Sequence, residues 1–263
     1  MNMQKTALIT GACVNTGVAI VHKFASEGYN IIFTGRNQAS VSEAEEIYRA
    51  QYPGVQIHGY ALHSLNDDGS VNEQAVNDLF AKLDQAGISI QTLVLNAADQ
   101  GLNQKIYENP IQDFQKVLNT NVIWNFCLCQ AATMRMKEQG GGNIVFLNSN
   151  TAYRAIPDRI AYVTSKGAQL GMMRALALDL GKFNIRVNAV LPGMIKTNRW
   201  EQNPDFYANV PSRFTPLGDV AVGSDIADAV WYFAELARNT TGAELVVDGG
   251  NTIQLYPIIP ENK

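Results

Sequence analysis

The stretch Ala7-Leu8-Ile9-Thr10-Gly11-Ala12-Cys13-Val14-Asn15-Thr16-Gly17 carries a short apolar run straight into a turn of small residues. Residues 7–10 read as a buried strand and residues 18–27 as an amphipathic helix, so the turn joins the end of a strand to the start of a helix. Backbone N–H groups and the dipole at a helix N-terminus favour an anion, and small residues let the chain approach it closely. The turn from Thr10 to Gly17 is therefore a candidate phosphate cradle. The plainer reading is an ordinary strand-to-helix connection.

The same alternation repeats along the chain. Residues 7–10, 30–34, 55–61, 91–95, 143–147, 185–191 and 244–247 read as strands. Residues 18–27, 40–50, 72–86, 111–138, 161–182 and 224–237 read as helices between them. Strand–helix alternation predicts an α/β fold: a doubly wound parallel sheet of about seven strands with helices on both faces. The strands are nearly continuous apolar runs, as burial on both faces requires. Gly28, Gly87, Gly140 to Gly142 and Gly181 follow helices, where a residue with positive φ is wanted. No linker or internal repeat divides the chain, so residues 1–263 read as one domain. Its least regular part is 194–223, with Pro204, Pro211 and Pro216 among aromatics, the pattern of a substrate lid. A tail, 251–263, follows the last strand and carries Tyr256-Pro257-Ile258-Ile259-Pro260.

Composition narrows the function. Hydrophobic residues make up 46% of the chain and charged residues only 17%. Soluble proteins carry about 25% charged residues, so the shortfall favours more buried surface than a lone monomer needs. A net charge of −4 argues against a nucleic-acid binder, which would show a basic stripe. Three cysteines are too few for a disulfide framework, and no Cys/His cluster has zinc spacing. No apolar run reaches the length of a membrane span, and the N-terminal apolar run is too brief for a signal peptide. A soluble, cytoplasmic protein is the expectation.

Further features sit beside strand ends. Tyr162-Val163-Thr164-Ser165-Lys166 places a phenol and an ammonium four residues apart on one helix face. A lysine there stabilises a phenolate, which suits tyrosine for proton transfer near neutral pH. Ser149 closes the strand at 143–147, where its plainer role is a cap. Asn119, Asn121 and Asn125 disfavour the interior of their own helix, which hints at a local task for Asn121. Leu191-Pro192-Gly193-Met194-Ile195-Lys196-Thr197 forms a turn at another strand end, where ligands of open α/β sheets bind. The second strand runs into Gly35-Arg36. An acidic residue there would bind the ribose 2′-hydroxyl of NAD, whereas a guanidinium pairs with the 2′-phosphate of NADP.

In this order and spacing the motifs resemble the short-chain dehydrogenase/reductase family, in its single-domain Tyr-x-x-x-Lys branch. The resemblance runs from Lys5 to about Asn251. The family's glycine turn matches at Thr10, Gly11 and Gly17, with Asn15 in place of the middle glycine. Its Asn-Asn-Ala-Gly is Leu95-Asn96-Ala97-Ala98 here, and its closing Asp-Gly-Gly is Asp248-Gly249-Gly250. Val14 stands where many relatives carry a second basic residue, and Ser64 where they carry an acidic one near the adenine. The resemblance implies a Rossmann-type fold and an enzyme that moves a hydride between nicotinamide and a carbonyl or secondary alcohol. It implies a catalytic set of Asn121, Ser149, Tyr162 and Lys166. Tyr162 would exchange the proton, Ser149 orient the same oxygen, Lys166 lower the Tyr162 pKa and hold the nicotinamide ribose, and Asn121 anchor a relay water. The cofactor would meet Gly11, Asn15, Thr16, Gly17, Arg36 and Ser64 on one side. On the other it would meet Asn96, Ala97, Tyr162, Lys166, Pro192, Gly193, Ile195 and Thr197. Gly35-Arg36 favours NADP(H), with NAD(H) as the alternative.

Asp99, Gln100, Asn150, Thr151, Tyr153, Arg154, Trp200, Phe206 and Tyr207 are candidate pocket residues, and their mixture leans toward a sugar, polyol or other polar keto substrate. The alternatives are a β-ketoacyl thioester or a steroid. Arg174, Lys182 and Arg186, which an acidic carrier would need clustered, read as scattered. A reading of another class is a non-catalytic dinucleotide-binding regulator or scaffold. The resemblance also implies a homotetramer paired through helices 111–138 and 161–182, with no metal, nucleic-acid or membrane partner.

Overall fold

The computed structural model describes residues 4–208 and 210–257, without the side chains of residues 199, 201, 206 and 212. Seven strands form one parallel sheet in the order β3-β2-β1-β4-β5-β6-β7. They are β1 (Thr6–Ile9), β2 (Asn30–Gly35), β3 (Ile57–Ala61), β4 (Thr92–Leu95), β5 (Gly142–Leu147), β6 (Ile185–Pro192) and β7 (Glu244–Val247). The helices are α1 (Asn15–Ser26), α2 (Gln38–Gln51), α3 (Glu73–Gln85), α4 (Ile111–Leu118), α5 (Trp124–Glu138), α6 (Ile160–Leu180), α7 (Asn198–Gln202), α8 (Pro204–Tyr207), α9 (Val210–Phe214) and α10 (Gly223–Trp231). The expected doubly wound sheet is observed, with each strand within two residues of its expected limits.

Alternation along each strand splits the core in two. Ile9, Ile31, Phe33, Val94, Val145 and Val190 pack with α1, α2 and α10 on one face. Leu8, Ile32, Leu93, Phe146, Leu191 and the helices α3, α5 and α6 make the other. Successive side chains of a strand point to opposite faces, so an apolar run with no polar alternation fills both layers. The order reverses between β1 and β4, and the crevice at the strand ends there is where such folds bind ligands.

Three local departures have physical reasons. The long helix expected at 111–138 is interrupted by a π-helical segment, Asn119–Ile123. Single π turns inside α-helices shift the carbonyl ladder, and this one carries Asn121. Gly181 does not take positive φ; it continues from α6, and Asn184 turns the chain instead at φ 58°. Gly142 opens β5, whereas Gly28, Gly87, Gly140 and Gly141 have the expected positive φ. The irregular stretch after β6 holds the short helices α7, α8 and α9, and Ile258 to Lys263 of the tail lie outside the described residues.

Candidate active site

The turn after β1 is built to stay open at its helix end. Gly11 has φ 65°, and a Cβ there would stand 3.0 Å from Ala97 Cα. A Cβ on Gly17 would stand 2.5 Å from the Gly11 carbonyl oxygen and 2.7 Å from Ala12 Cα. Asn15, in the place of a glycine, adopts φ 50°. Asn tolerates the left-handed region better than most residues, so the substitution keeps the turn. Hydrogen bonds then fasten the turn to β4. Asn96 Nδ2 donates to the carbonyls of Thr10 and Gly11 at 2.8 and 3.0 Å. The Thr10 hydroxyl accepts from the backbone N–H of Asn96 and Ala97, both at 3.0 Å. Tyr48 O–H donates to the Ala12 carbonyl at 2.6 Å.

Val14 caps α1 without a side-chain bond, and no acidic residue stands in the first helical turn. The orphan N–H groups at this end are therefore left for another acceptor. At the end of β2, a Cβ on Gly35 would collide with the Cys13 sulfur and lie 2.7 Å from Val41 Cγ2, so no aspartate fits there without movement. Arg36 is exposed, and its guanidinium has no hydrogen-bond or ion-pair partner among the described residues. An uncapped helix start, glycines that no side chain could replace, and a free guanidinium beyond them fit a dinucleotide with a 2′-phosphate.

The other expected cofactor residues frame the same edge. Ser64, after β3, bonds Thr120 hydroxyl to hydroxyl at 3.2 Å. Pro192 ends β6, and a Cβ on Gly193 would stand 2.5 Å from Asp248 Cβ, so the turn lies tight on the last strand. Ile195 makes a bridge with Ala221, and the Thr197 carbonyl accepts from Trp200 N at 2.8 Å.

Ser149, Tyr162 and Lys166 meet where β5 faces α6. The Ser149 hydroxyl accepts from Thr151 N at 3.2 Å, capping the turn Asn150–Ala152, and lies near enough to the Tyr162 phenol to pull its pKa down. Its capping reading is thus present. Lys166 is 2% exposed, and its Nζ donates to the Leu147 carbonyl at 2.9 Å and to Gln169 Oε1 at 3.2 Å. Burial without a carboxylate partner holds its pKa down to about 7. The Tyr162 phenol is pushed up by burial, while the Ser149 bond and the Arg159 charge pull the other way. The lysine was expected to lower the tyrosine. Its Nζ lies 5.5 Å from the Tyr162 ring centre.

Asn121 is fully buried in the π segment. Its side chain accepts from Asp99 N at 2.7 Å and donates to the Asp99 carbonyl at 2.8 Å and Ser165 Oγ at 3.0 Å. Its main-chain carbonyl accepts from Asn125 Nδ2 at 2.9 Å and Gln169 Nε2 at 2.6 Å. A carbonyl has two lone pairs. Two side-chain amides, from Asn125 and Gln169, thus converge on the carbonyl of the π segment.

Three of the candidate pocket residues bond the C-terminal strand and tail. Asn150 Nδ2 reaches Asp248 at 3.3 Å and Asn251 at 3.0 Å, and Arg154 donates to the carbonyls of Asn251, Thr252 and Gln254. Tyr153 is exposed and bonds Glu244. All three are spent on fixing the C-terminal strand and tail. Gln100 accepts from Arg159, Thr151 is buried, and Asp99 is held by Asn121 and stands 3.7 Å from the Lys116 ammonium. Trp200 and Tyr207 stack at 4.4 Å, closing α7 on α8, whereas the Phe206 side chain is outside the described set. Of the scattered basic residues, Arg174 pairs with Glu244 at 2.5 Å and Arg186 caps the carbonyls of Phe233, Ala234 and Ala237. Neither is free to receive an acidic carrier. Gln169 and Asn148 were not expected in the site; only their polarity inside apolar segments could have flagged them.

A protein-family model described as enoyl-(acyl carrier protein) reductase matches residues 11–252. The chain is 34% identical over 252 residues to a 3alpha-hydroxysteroid dehydrogenase of Mediterraneibacter gnavus, covering 95% of this chain and 97% of that protein. It is 31% identical over 256 residues to a D-threitol dehydrogenase of Mycolicibacterium smegmatis, covering 95% and 94%. Among solved structures, L-sorbose reductase from Gluconobacter frateurii, in complex with NADPH and L-sorbose, matches with a TM-score of 0.87 at 26% identity over 96% and 98% of the two chains.

Proposed function

The chain belongs to the short-chain dehydrogenase/reductase family and is an NADP(H)-dependent oxidoreductase of alcohol and carbonyl groups; from that premise we propose that Tyr162, Ser149 and Lys166 carry the reaction on a ketose, polyol or similarly polar substrate. The observation that carries the reading is Lys166. An ammonium buried to 2% exposure with no carboxylate beside it is costly, and the fold has no need of it. Strong burial of a titratable group beside a phenol and a hydroxyl in a strand-end crevice marks a functional site.

When bound, NADP(H) gives or takes a hydride at its nicotinamide, and the proton falls to the chain. In the reducing direction Tyr162 donates its phenolic proton to the substrate oxygen and takes it back in the oxidising direction. The Ser149 hydroxyl, near the Tyr162 phenol, orients that oxygen. Lys166, with its pKa near 7, exchanges a proton readily at neutral pH and offers N–H donors to a ribose. The turn from Thr10 to Gly17 holds the phosphates, and Arg36 the 2′-phosphate. Asp99, Gln100 and Arg159 around Tyr162 supply polar groups for an oxygen-rich substrate. The dehydrogenase of D-threitol and the reductase of L-sorbose support that class, and the hydroxysteroid dehydrogenase supports the steroid alternative.

Assembly follows from the helices. Phe126 and Met134 on α5 and Leu178 on α6 are 47%, 62% and 85% exposed, outside a core already filled by Trp124, Leu128 and Met173. Apolar side chains on a second stripe fit pairing through α5 and α6 in a homotetramer. Three free cysteines, none paired, fit a reducing cytoplasm. Among the described residues no helix is long and apolar enough to cross a membrane.

The deciding experiment is oxidation and reduction of a panel of ketoses, polyols, hydroxysteroids and β-ketoacyl thioesters with both nicotinamide cofactors. Turnover of a ketose or polyol with NADP(H) is expected. NADPH binding without any turnover would favour the regulator reading.

A further inference from the structure

Gln169 lies three residues beyond Lys166 on α6, on the same helix face. It is 1% exposed. Its Oε1 accepts from Lys166 Nζ at 3.2 Å and from Asn148 Nδ2 at 3.1 Å. Its Nε2 donates to the Asn121 main-chain carbonyl at 2.6 Å. One amide therefore spans the gap between the lysine and the π segment. Packing alone asks for no amide there, since an apolar side chain of that volume would fill the space without desolvation cost. A polar group so buried is retained where its partners need it.

We propose that Gln169 is a positioning residue: its side-chain amide ties the Lys166 ammonium to the Asn121 carbonyl and so fixes where the ammonium stands beside Tyr162. The proposal rests on the reading of Lys166 as part of the active site. A neutral amide accepts a hydrogen bond from the ammonium but does not pass its proton on. The nearest titratable group is Tyr162, on the same helix. Among the described residues the Lys166 Nζ meets the Leu147 carbonyl, Gln169 Oε1 and the Tyr162 ring, and none of these is a carboxylate.

Two substitutions separate this role from mere packing. Gln169→Leu keeps the volume and removes the tie. The groups it releases each retain a partner: Asn121 O keeps Asn125, Asn148 Nδ2 keeps the Lys166 carbonyl, and Lys166 Nζ keeps Leu147 O. Gln169→Glu places a carboxylate on the ammonium. The measurement is the pH titration of the Lys166 side chain by NMR in protein labelled with ¹³C at lysine Cε, the resonance being assigned by its loss in Lys166→Met. A carboxylate in contact favours the ammonium and loss of an acceptor disfavours it. The midpoint should rise by about one unit or more in Gln169→Glu and fall by about half a unit in Gln169→Leu. In turnover, Gln169→Leu should lower kcat about tenfold and leave KM for the carbonyl substrate unmoved, because Gln169 does not touch it. Midpoints that stay at the unsubstituted value, or move the same way in both variants, overturn the proposal. Opposite shifts in a protein that turns over nothing would instead count against the enzymatic reading and leave the tie between Gln169 and Lys166 in place.

Discussion

The turn after β1 and the stretch after β6 both leave buried parallel strands at the same edge of the sheet, yet they are held in opposite ways. The first is fixed by backbone: glycines that admit no Cβ, a left-handed Asn15, and the bonds from Thr10, Asn96 and Tyr48. The second has three helices of four or five residues, one bridge between Ile195 and Ala221, and a stacked Trp200–Tyr207 pair. Helices so short have no stability of their own and depend on what they pack against. A phosphate asks for N–H groups in a fixed place, which a rigid turn supplies. A substrate asks for shape, which a loosely held segment on a rigid scaffold supplies. The cofactor site is thus built into the sheet, and substrate choice is laid over it.

That contrast can be broken first at Gly17. Gly17→Ala drives a Cβ into the backbone of Gly11 and Ala12, where no flexible side chain can give way. NADPH affinity by calorimetry should fall about a hundredfold or more, a loss of roughly 3 kcal/mol. Unchanged affinity would mean that the turn is not the cradle. Arg36 tests the same side more finely. Arg36→Ala should weaken NADPH about tenfold and leave NADH untouched, because a single charge-assisted phosphate contact is removed. Equal losses for both cofactors would remove the 2′-phosphate role. Trp200 sharpens the other side with the smallest effect. Trp200→Ala unstacks Tyr207 and should raise KM for the substrate about fivefold with NADPH affinity unaltered. A parallel loss of NADPH affinity would show that the two segments are not independent.

The sheet was legible because burial on both faces writes each strand as an apolar run, and the helices between them as amphipathic stretches. The turn from Thr10 to Gly17 was legible because its chemistry is backbone chemistry, and small residues announce it. What escaped was side-chain geometry. Asn119 and Asn121 signalled trouble inside a helix, but no pattern distinguishes a π segment from a plain break. Gln169 sits in a helix where a glutamine usually means solvent, and only the fold shows it buried against Lys166. Asn150, Tyr153 and Arg154 follow Ser149 and so read as pocket residues, but their bonds to the last strand and tail, about a hundred residues on, could not be read from the sequence. Spacing places Tyr162 and Lys166 on one face, but only the fold shows how deeply both are buried there.

The most direct test is a comparison of the unsubstituted protein with Tyr162→Phe in single-turnover hydride transfer from NADPH to a ketose, with NADPH binding followed in parallel by fluorescence. The phenylalanine keeps the ring and removes the one proton the reaction needs. Transfer should fall at least about a thousandfold while NADPH binding stays within about threefold, since general acid catalysis is worth about a hundred- to ten-thousandfold. Hydride transfer that survives in Tyr162→Phe at a comparable rate would contradict the account.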